Sequence, residues 1–343
     1  MLRLRIEPLD ILLFRDGRPF GLGDSARSIF PPSPLTFQGA VRAKLWANKE
    51  RIPESWLDPE SPPLKFYGPF LEKDDTLLFL IPSAALRCSF VETKFMDKSN
   101  CNIEWIEKLP FPQEGDDRIL FLPLPQFKDY LKGEVKDIYP IDSNQLWMEE
   151  ERPSIKITPE SLTVSEEDAL FTISFTRLKS GVRFSFFVEA EENEELLGEI
   201  LSKEPRALIL GGERRPVIYE LRKEDLRDLF RDVRETIENG AQGGDVMKII
   251  FLTPPIPKEN WIPNSLGGRN IISALIPKPV AIGGWDYREN KPRPLRYALP
   301  AGTTFWVKKI NIEDFWFNFH SDFFPNLGLG LTCVGKDGSR YAG

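Results

Sequence analysis

Leu2, Leu4 and Ile6 alternate with Arg3, Arg5 and Glu7, the period-two pattern of a half-buried strand at the start of the chain. Pro34 and Thr36 then open a stretch in which Phe37, Ala40, Val41 and Leu45 recur at helical spacing, so a helix with Thr36 as its cap is expected. Further on, Phe171, Ile173 and Phe175 alternate with Thr172, Ser174 and Thr176. After Lys179, Ser180 and Gly181 the alternation resumes at Val182, Phe184, Phe186 and Val188, which predicts a β-hairpin. From Glu194 to Lys203 acids lead and Leu196, Leu197, Ile200 and Leu201 form a stripe, so a helix follows. Gly211 and Gly212 precede a strand from Val217 to Leu221.

This order, β-α-β-β-α-glycine loop-β, is the split βαβ or ferredoxin-like pattern. Leu226, Leu229, Val233 and Ile237 mark a helix ending near Gly240, a bridge between halves. The order then recurs. Strands are expected over Met247–Leu252, Pro279–Ile282 and Thr303–Ile310, and helices over Asn264–Ala274 and Ile312–Phe319. A glycine turn, Gly328-Leu-Gly330, feeds the last strand. The fold class expected is α+β, two ferredoxin-like (βαββαβ) domains with a long insertion in the first. Residues 1–222 form the first domain with its insertion at about 49–165, residues 223–245 the bridging helix and linker, and residues 246–343 the second domain. The insertion carries Phe66, Tyr67 and Phe70 and is too aromatic for a linker.

Charge sharpens this picture. The chain of 343 residues has a net charge of −7, yet residues 1–49 carry net +4 and residues 269–309 net +6, which leaves −17 for the remainder. Two basic segments in an acidic chain can focus an anion on one face. Cys88, Cys101 and Cys333 are widely spaced without a C-x-x-C pair, so neither a disulfide framework nor a zinc site is supported, and no metal or cofactor is expected. His320 is the only histidine, which limits acid–base catalysis; it follows an aromatic run and reads as a structural residue. No stretch approaches a membrane span and no signal-peptide pattern opens the chain, so a cytoplasmic protein without membrane contact is expected.

Chemistry gathers in three places. The run from Phe14 to Trp46 joins a strand to a helix through a loop rich in glycine and arginine, with Arg15, Gly17, Arg18, Gly21, Gly23 and Arg27 in the loop and Gly39 and Arg42 on the helix. Backbone N–H groups, a helix N-terminus and guanidinium groups aimed at one place suit a polyanion. Gly211, Gly212, Arg214 and Arg215 repeat this at smaller scale. The third place runs from Ala281 to Tyr297 and holds Gly283, Gly284, Trp285, Arg288, Arg293 and Arg296. There Arg and Lys can hold phosphates while Trp or Tyr stacks unpaired bases. Gly328-Leu-Gly330 is not a dinucleotide fingerprint, because only thirteen residues follow it; a tight turn that packs strand on helix fits it.

With Arg15-Asp-Gly-Arg-Pro-Phe20, Pro34-Leu-Thr-x-x-Gly-Ala-Val-Arg42, Tyr67-Gly-Pro-Phe-Leu71, the Gly211 loop and the Ile282 to Gly302 run in hand, the chain resembles a known family. It is similar to the third subunit of the Cmr complex, the type III-B CRISPR effector, in the RAMP superfamily. The resemblance implies two ferredoxin-like domains, no nuclease activity, and a subunit that caps the 5′ handle of the CRISPR RNA (crRNA). It also implies two protein partners, the large polymerase-like subunit and the backbone RAMP subunit. The residues named above would then hold RNA. The rival readings are a RAMP endoribonuclease, whose histidine commonly lies near the first helix, and a protein–protein scaffold. No histidine lies between residues 14 and 46.

Overall fold

The computed structural model describes residues 1–15, 28–82, 119–134, 139–155, 170–240, 246–267, 269–286, 291–308 and 310–337. The opening alternation builds strand β1 (Leu2–Pro8), with Leu2, Leu4 and Ile6 in one core and Arg3 and Arg5 on the opposite face. Helix α1 (Pro34–Trp46) follows and buries Phe37, Ala40, Val41 and Leu45. Its cap is Ser33 rather than Thr36: the Ser33 hydroxyl accepts from the Leu35 N–H at 3.3 Å. Proline lacks an N–H and suits the first helical position, so Pro34 draws the cap to the residue before it.

Next come β2 (Leu64–Lys73), β3 (Thr76–Leu80), β4 (Leu120–Pro123), helix α2 (Leu124–Lys132), β5 (Ile141–Asp142) and β6 (Trp147–Ile155). After them lie β7 (Leu170–Leu178), β8 (Val182–Ala190), helix α3 (Glu194–Ser202), β9 (Ala207–Leu210) and β10 (Arg215–Lys223). The main sheet has the order β5-β4-β3-β2-β8-β1-β10-β9. Its centre, β10-β1-β8-β2, is antiparallel and compatible with a ferredoxin-like arrangement, with α1 and α3 on one face.

The predicted hairpin is corrected here. Both strands form, but β7 pairs with β6 in a separate ribbon, whereas β8 enters the main sheet between β2 and β1. The reason lies in burial. Val182, Phe184, Ser185, Phe186, Phe187 and Val188 are all buried, so β8 is covered on both faces and needs a partner along each edge. Strand β7 instead packs Ile173 and Phe175 against Ile11 and Leu13, where the chain leaves β1. The partner taken by β8 is β2, which lies inside residues 49–165.

The second half holds helix α4 (Arg231–Gly240), β11 (Val246–Phe251), β12 (Asn270–Leu275), β13 (Val280–Ile282), β14 (Trp285–Asp286), β15 (Lys291–Pro292), β16 (Arg296–Ala298), β17 (Thr304–Lys308), helix α5 (Ile312–Phe315) and β18 (Thr332–Lys336). Its sheet order, β12-β17-β11-β18, repeats the first half: the last strand lies beside the first, and the first beside the third. The helix expected over 264–274 is only a 3-10 turn at Asn264–Leu266 followed by β12, whose β-branched Ile271 is buried. The helix expected over 312–319 stops at Phe315, because Phe317 adopts a left-handed backbone (φ 52°).

The halves share one core. Tyr67, Phe70, Phe79 and Phe187 of the main sheet pack with Phe230, Val233 and Ile237 around α4 and with Ile249, Phe251 and Phe305 of the second sheet. Phe79 stacks on Phe127 of α2 at 4.6 Å, and Phe230 meets Phe317 at 5.0 Å. Asp232 of α4 accepts from Lys128 and Lys132 of α2, each at 2.8 Å. Burial opposes its ionisation, but these bonds hold its carboxyl down at about 2.

Beside this apolar core lies one fully buried carboxylate, Glu72. It accepts from Arg3 at 2.7 Å, from Arg5 Nε at 2.9 Å and from the Ser185 hydroxyl at 2.8 Å. Burial alone would raise the Glu72 carboxyl; the bonds from Arg5 and Ser185 and the charges of Arg3 and Arg5 bring it below its usual value. The network reaches solvent at Asp75, Glu220 and Glu224.

Replacing Glu72 by Ala leaves Arg3 and Arg5 buried without their shared partner. Urea unfolding should show a loss of about 3–5 kcal/mol. Because the folded pKa lies below the unfolded one, the carboxylate's contribution is present above the unfolded pKa and is lost as pH falls through the folded value. The stability gap between wild type and Glu72→Ala should therefore narrow in acid.

Candidate nucleic-acid interface

Phe14 and Arg15 end the extension of β1, and the chain returns beside them at Ser28. The Phe14 N–H donates to the Ser28 hydroxyl at 2.9 Å, the Ile29 N–H donates to the Phe14 carbonyl at 2.8 Å, and Arg15 bridges Ser28. The base of the predicted loop is thus closed by its own backbone. Gly17, Arg18, Gly21, Gly23 and Arg27 lie outside the described residues, as does Arg288.

The first glycine turn packs against this point. Gly211 has φ 73°, and a Cβ there would sit 2.5 Å from the Leu13 carbonyl oxygen. The Gly212 N–H donates to that same oxygen at 2.8 Å. Arg214 is exposed and makes no hydrogen bond or ion pair among the described residues. Arg215 is drawn inward, its guanidinium 5.0 Å from the Phe175 ring centre and 3.9 Å from Asp10.

The second glycine turn packs against the start of α1. A Cβ on Gly328 would sit 2.9 Å from Pro34 Cβ and from the Phe66 carbonyl. At Gly330 (φ 75°) it would lie 2.6 Å from the backbone of His320 and Ser321, so of the two glycines Gly328 is the one that packs on a helix. Leu35 of α1 packs here into a small cluster of Ile256, Ile282, Ala298 and Leu329, flanked by Phe323 and Phe324. Two of these, Ile282 and Ala298, belong to the β13–β16 ribbon.

That ribbon carries the second basic segment. The Arg296 guanidinium lies 3.7 Å from the Phe323 ring centre and the Arg293 guanidinium 5.4 Å from that of Phe324. Neither arginine, nor Lys278, makes an ion pair among the described residues. An arginine seated on a ring keeps the N–H fork in its plane open to a phosphate. The Arg293 N–H donates to the Gly284 carbonyl at 2.9 Å, so Gly283 and Gly284 sit beside these arginines, and Trp285 pairs with Pro292 in the short β14–β15 ladder.

The structure therefore gathers Arg15, Gly211, Gly212 and Arg214 where the chain leaves β1, and places Gly283, Gly284, Arg293 and Arg296 by the N-terminus of α1. It does not bring Arg42 to this group. The Arg42 guanidinium donates to the Asp58 carbonyl and, at 3.4 Å, to Gln38. Gly39 is on the exposed face of α1, with nothing within 4 Å of a Cβ placed there. Two residues of the region were not singled out from the sequence. Ser33 escaped because Pro34 was read as part of the first turn, and Tyr297 because its face follows from ribbon pairing; the alternation of Arg296, Tyr297 and Ala298 was the available signal.

His320 is half-buried, with Nε2 2.8 Å from the Asp314 carbonyl and its ring stacked on Phe315 at 4.3 Å. Burial lowers its pKa, which is the environment of a structural histidine. Among the described residues no three His, Cys, Asp or Glu side chains cluster to hold a metal, and no helix is long and apolar enough to cross a membrane. Cys333 is buried, and burial raises its thiol pKa.

The same mixed architecture occurs in solved assemblies. At 18% identity, over 90% of this chain and 86% of the other, the structure is similar to a chain of the type III-B Cmr-beta complex bound to cognate target RNA and AMPPnP, with a TM-score of 0.53. A chain of that complex bound to cognate target RNA gives 0.50 at 18% identity over the same shares. A chain of the Csm3–Csm4 subcomplex of the type III-A CRISPR-Cas interference complex aligns over 98% and 99% at 11% identity and 0.45. No curated protein sequence matches the chain. The fold is that of the Cmr-beta chain, and the sequence is that of a CRISPR-associated protein. Residues 4–318 match the model of the CRISPR-associated protein (Cas_Cmr3) family, and the chain belongs to that family.

Two glycines separate internal packing from an outward role. Gly330→Ala should lose about 1–3 kcal/mol in denaturant unfolding, from its left-handed backbone and the clash with residues 320–321. Gly39→Ala should gain about 0.5–1 kcal/mol, since an exposed helix interior favours Ala. A stabilised Gly39→Ala protein with weakened RNA binding would mark that face of α1 as a contact.

Proposed function

We propose that this chain holds the repeat-derived 5′ handle of a CRISPR RNA, and bridges the large polymerase-like subunit to the backbone subunits of a type III-B effector, without catalysing a reaction of its own. The observation that carries the proposal is that the loop base at Arg15 and Ser28 meets the Gly211 turn where the chain leaves β1, while the Gly328 turn and the ribbon that bears Arg293 and Arg296 pack at the start of α1. Among the described residues the Arg293 and Arg296 guanidinium groups have no carboxylate partner, and they supply the attraction for a phosphate backbone. Family membership and the target RNA named for the similar Cmr-beta structures support an RNA partner.

The same geometry favours holding over cutting. The one histidine donates its Nε2–H to a backbone carbonyl within a packed aromatic neighbourhood, away from the Phe14–Trp46 run in sequence, and offers no paired general acid and base. The acidic remainder of the surface gives the complementary charge for basic neighbours in an assembly, which supports the bridging role.

Filter binding of handle-bearing and scrambled RNA to the assembled effector tests this reading. Arg15→Ala with Arg18→Ala, and separately Arg293→Ala with Arg296→Ala, should each weaken handle binding, and each lost phosphate contact should reduce the slope of log K against log salt by about 0.7–0.9. Unchanged affinity in both double variants overturns the site. Specific cleavage of repeat RNA by the purified chain overturns the non-catalytic role.

A further inference from the structure

We propose that Tyr297 is a stacking platform for an unpaired RNA base on the outer face of the β13–β16 ribbon. This deepens the RNA-holding reading and rests on it. The register pairs Val280 with Ala298, Ala281 with Tyr297 and Ile282 with Arg296. Directly opposed residues of an antiparallel pair share a face, and successive residues alternate between faces. Ile282 and Ala298 are buried in the cluster with Ile256 and Leu329, and Arg296 lies over Phe323, so this face of the ribbon looks into the protein. Ala281 and Tyr297 therefore look out.

Tyr297 is 67% exposed, and Ala281 across from it is too small to cover its ring. Its hydroxyl has no hydrogen bond and its ring no aromatic neighbour among the described residues. The backbone beneath is fixed all the same, by the ladder on one side and the apolar cluster below. A bare ring on an anchored ribbon offers stacking area without ordering of the backbone beneath it.

Charge selects the occupant. Tyr297 adjoins Arg296 and lies four residues from Arg293, both without ion-pair partners among the described residues, in a segment of net +6 within a chain of net −7. The positive segment favours an anionic strand, and an unpaired nucleic-acid strand is one that also offers a flat base to the Tyr297 ring. Stacking on Tyr also suits any base, since each presents a π face.

Fluorescence anisotropy with the full-length chain and a single-stranded RNA bearing the repeat-derived 5′ end tests the proposal. Tyr297→Ala should weaken binding about 5- to 150-fold, the span of base–aromatic stacking by alanine truncation, with an unchanged salt slope. Tyr297→Phe keeps the ring and should stay within about twofold of wild type. Arg293→Ala with Arg296→Ala should instead flatten the salt slope. Wild-type affinity in Tyr297→Ala beside weakened binding in the arginine variant overturns the platform and leaves the RNA-holding site intact. Wild-type affinity in both overturns the site itself, and the platform with it. A Tyr297→Ala chain that binds RNA normally but no longer co-purifies with its neighbouring subunits assigns this face to a protein contact and overturns the proposal.

Discussion

Strand β1 must satisfy two different environments at once, and the rest of the molecule is arranged around that requirement. Its even-numbered residues enter an apolar core with α1 and α3, while Arg3 and Arg5 converge on the buried carboxylate of Glu72. Neither charge set is tolerable alone in that setting, because an unpaired buried ion costs several kcal/mol. Since Glu72 comes from β2 and Ser185 from β8, the network ties three strands to one register. A slip of one residue would turn the arginines into the apolar core. The place where the chain leaves β1, and with it the base of the arginine loop, follows from that register.

The second half solves the same topological problem with less helix. Its strands take the order of the first half, yet a 3-10 turn and a single turn of α5 stand where α1 and α3 lie in the first half. It can do without long helices because its sheet is not left to cover itself. Aromatic residues from the main sheet and α2, with Phe230, Val233 and Ile237 at α4, bury it in the common core. That shared burial also holds the Gly328 turn against Pro34, so the two basic segments, more than 200 residues apart in sequence, lie near one helix terminus.

Much of this was legible beforehand where the physics is local. Alternation located β1, β7 and β8, the glycine loop before Val217 pointed to β10, helical spacing located α1, α3 and α4, and the glycine turns stood out because little else permits their backbone angles. The pairing of β7 and β8 was not legible, because two adjacent alternating runs with a short glycine connection look the same whether they pair with each other or with distant strands. Only the burial of β8 on both faces distinguishes the cases. The short helices of the second half were overread for a similar reason: an apolar run such as Ile271 to Leu275 fits a buried strand as well as a helix.

By itself the sequence determined the strands and helices whose periodicity is clear, the uneven charge, the lone histidine outside the arginine-rich run and the residue types able to hold an anion. These depend on neighbours along the chain or on composition, so they survive without coordinates. Only the tertiary structure decided which cations remain available. Arg42 and Arg215 are engaged by Asp58, Gln38, Phe175 and Asp10, whereas Arg293 and Arg296 rest on rings with no carboxylate partner among the described residues. It also decided which aromatic faces outward, because the partner of each strand, and hence the face of each side chain, is set by contacts between residues far apart in the chain.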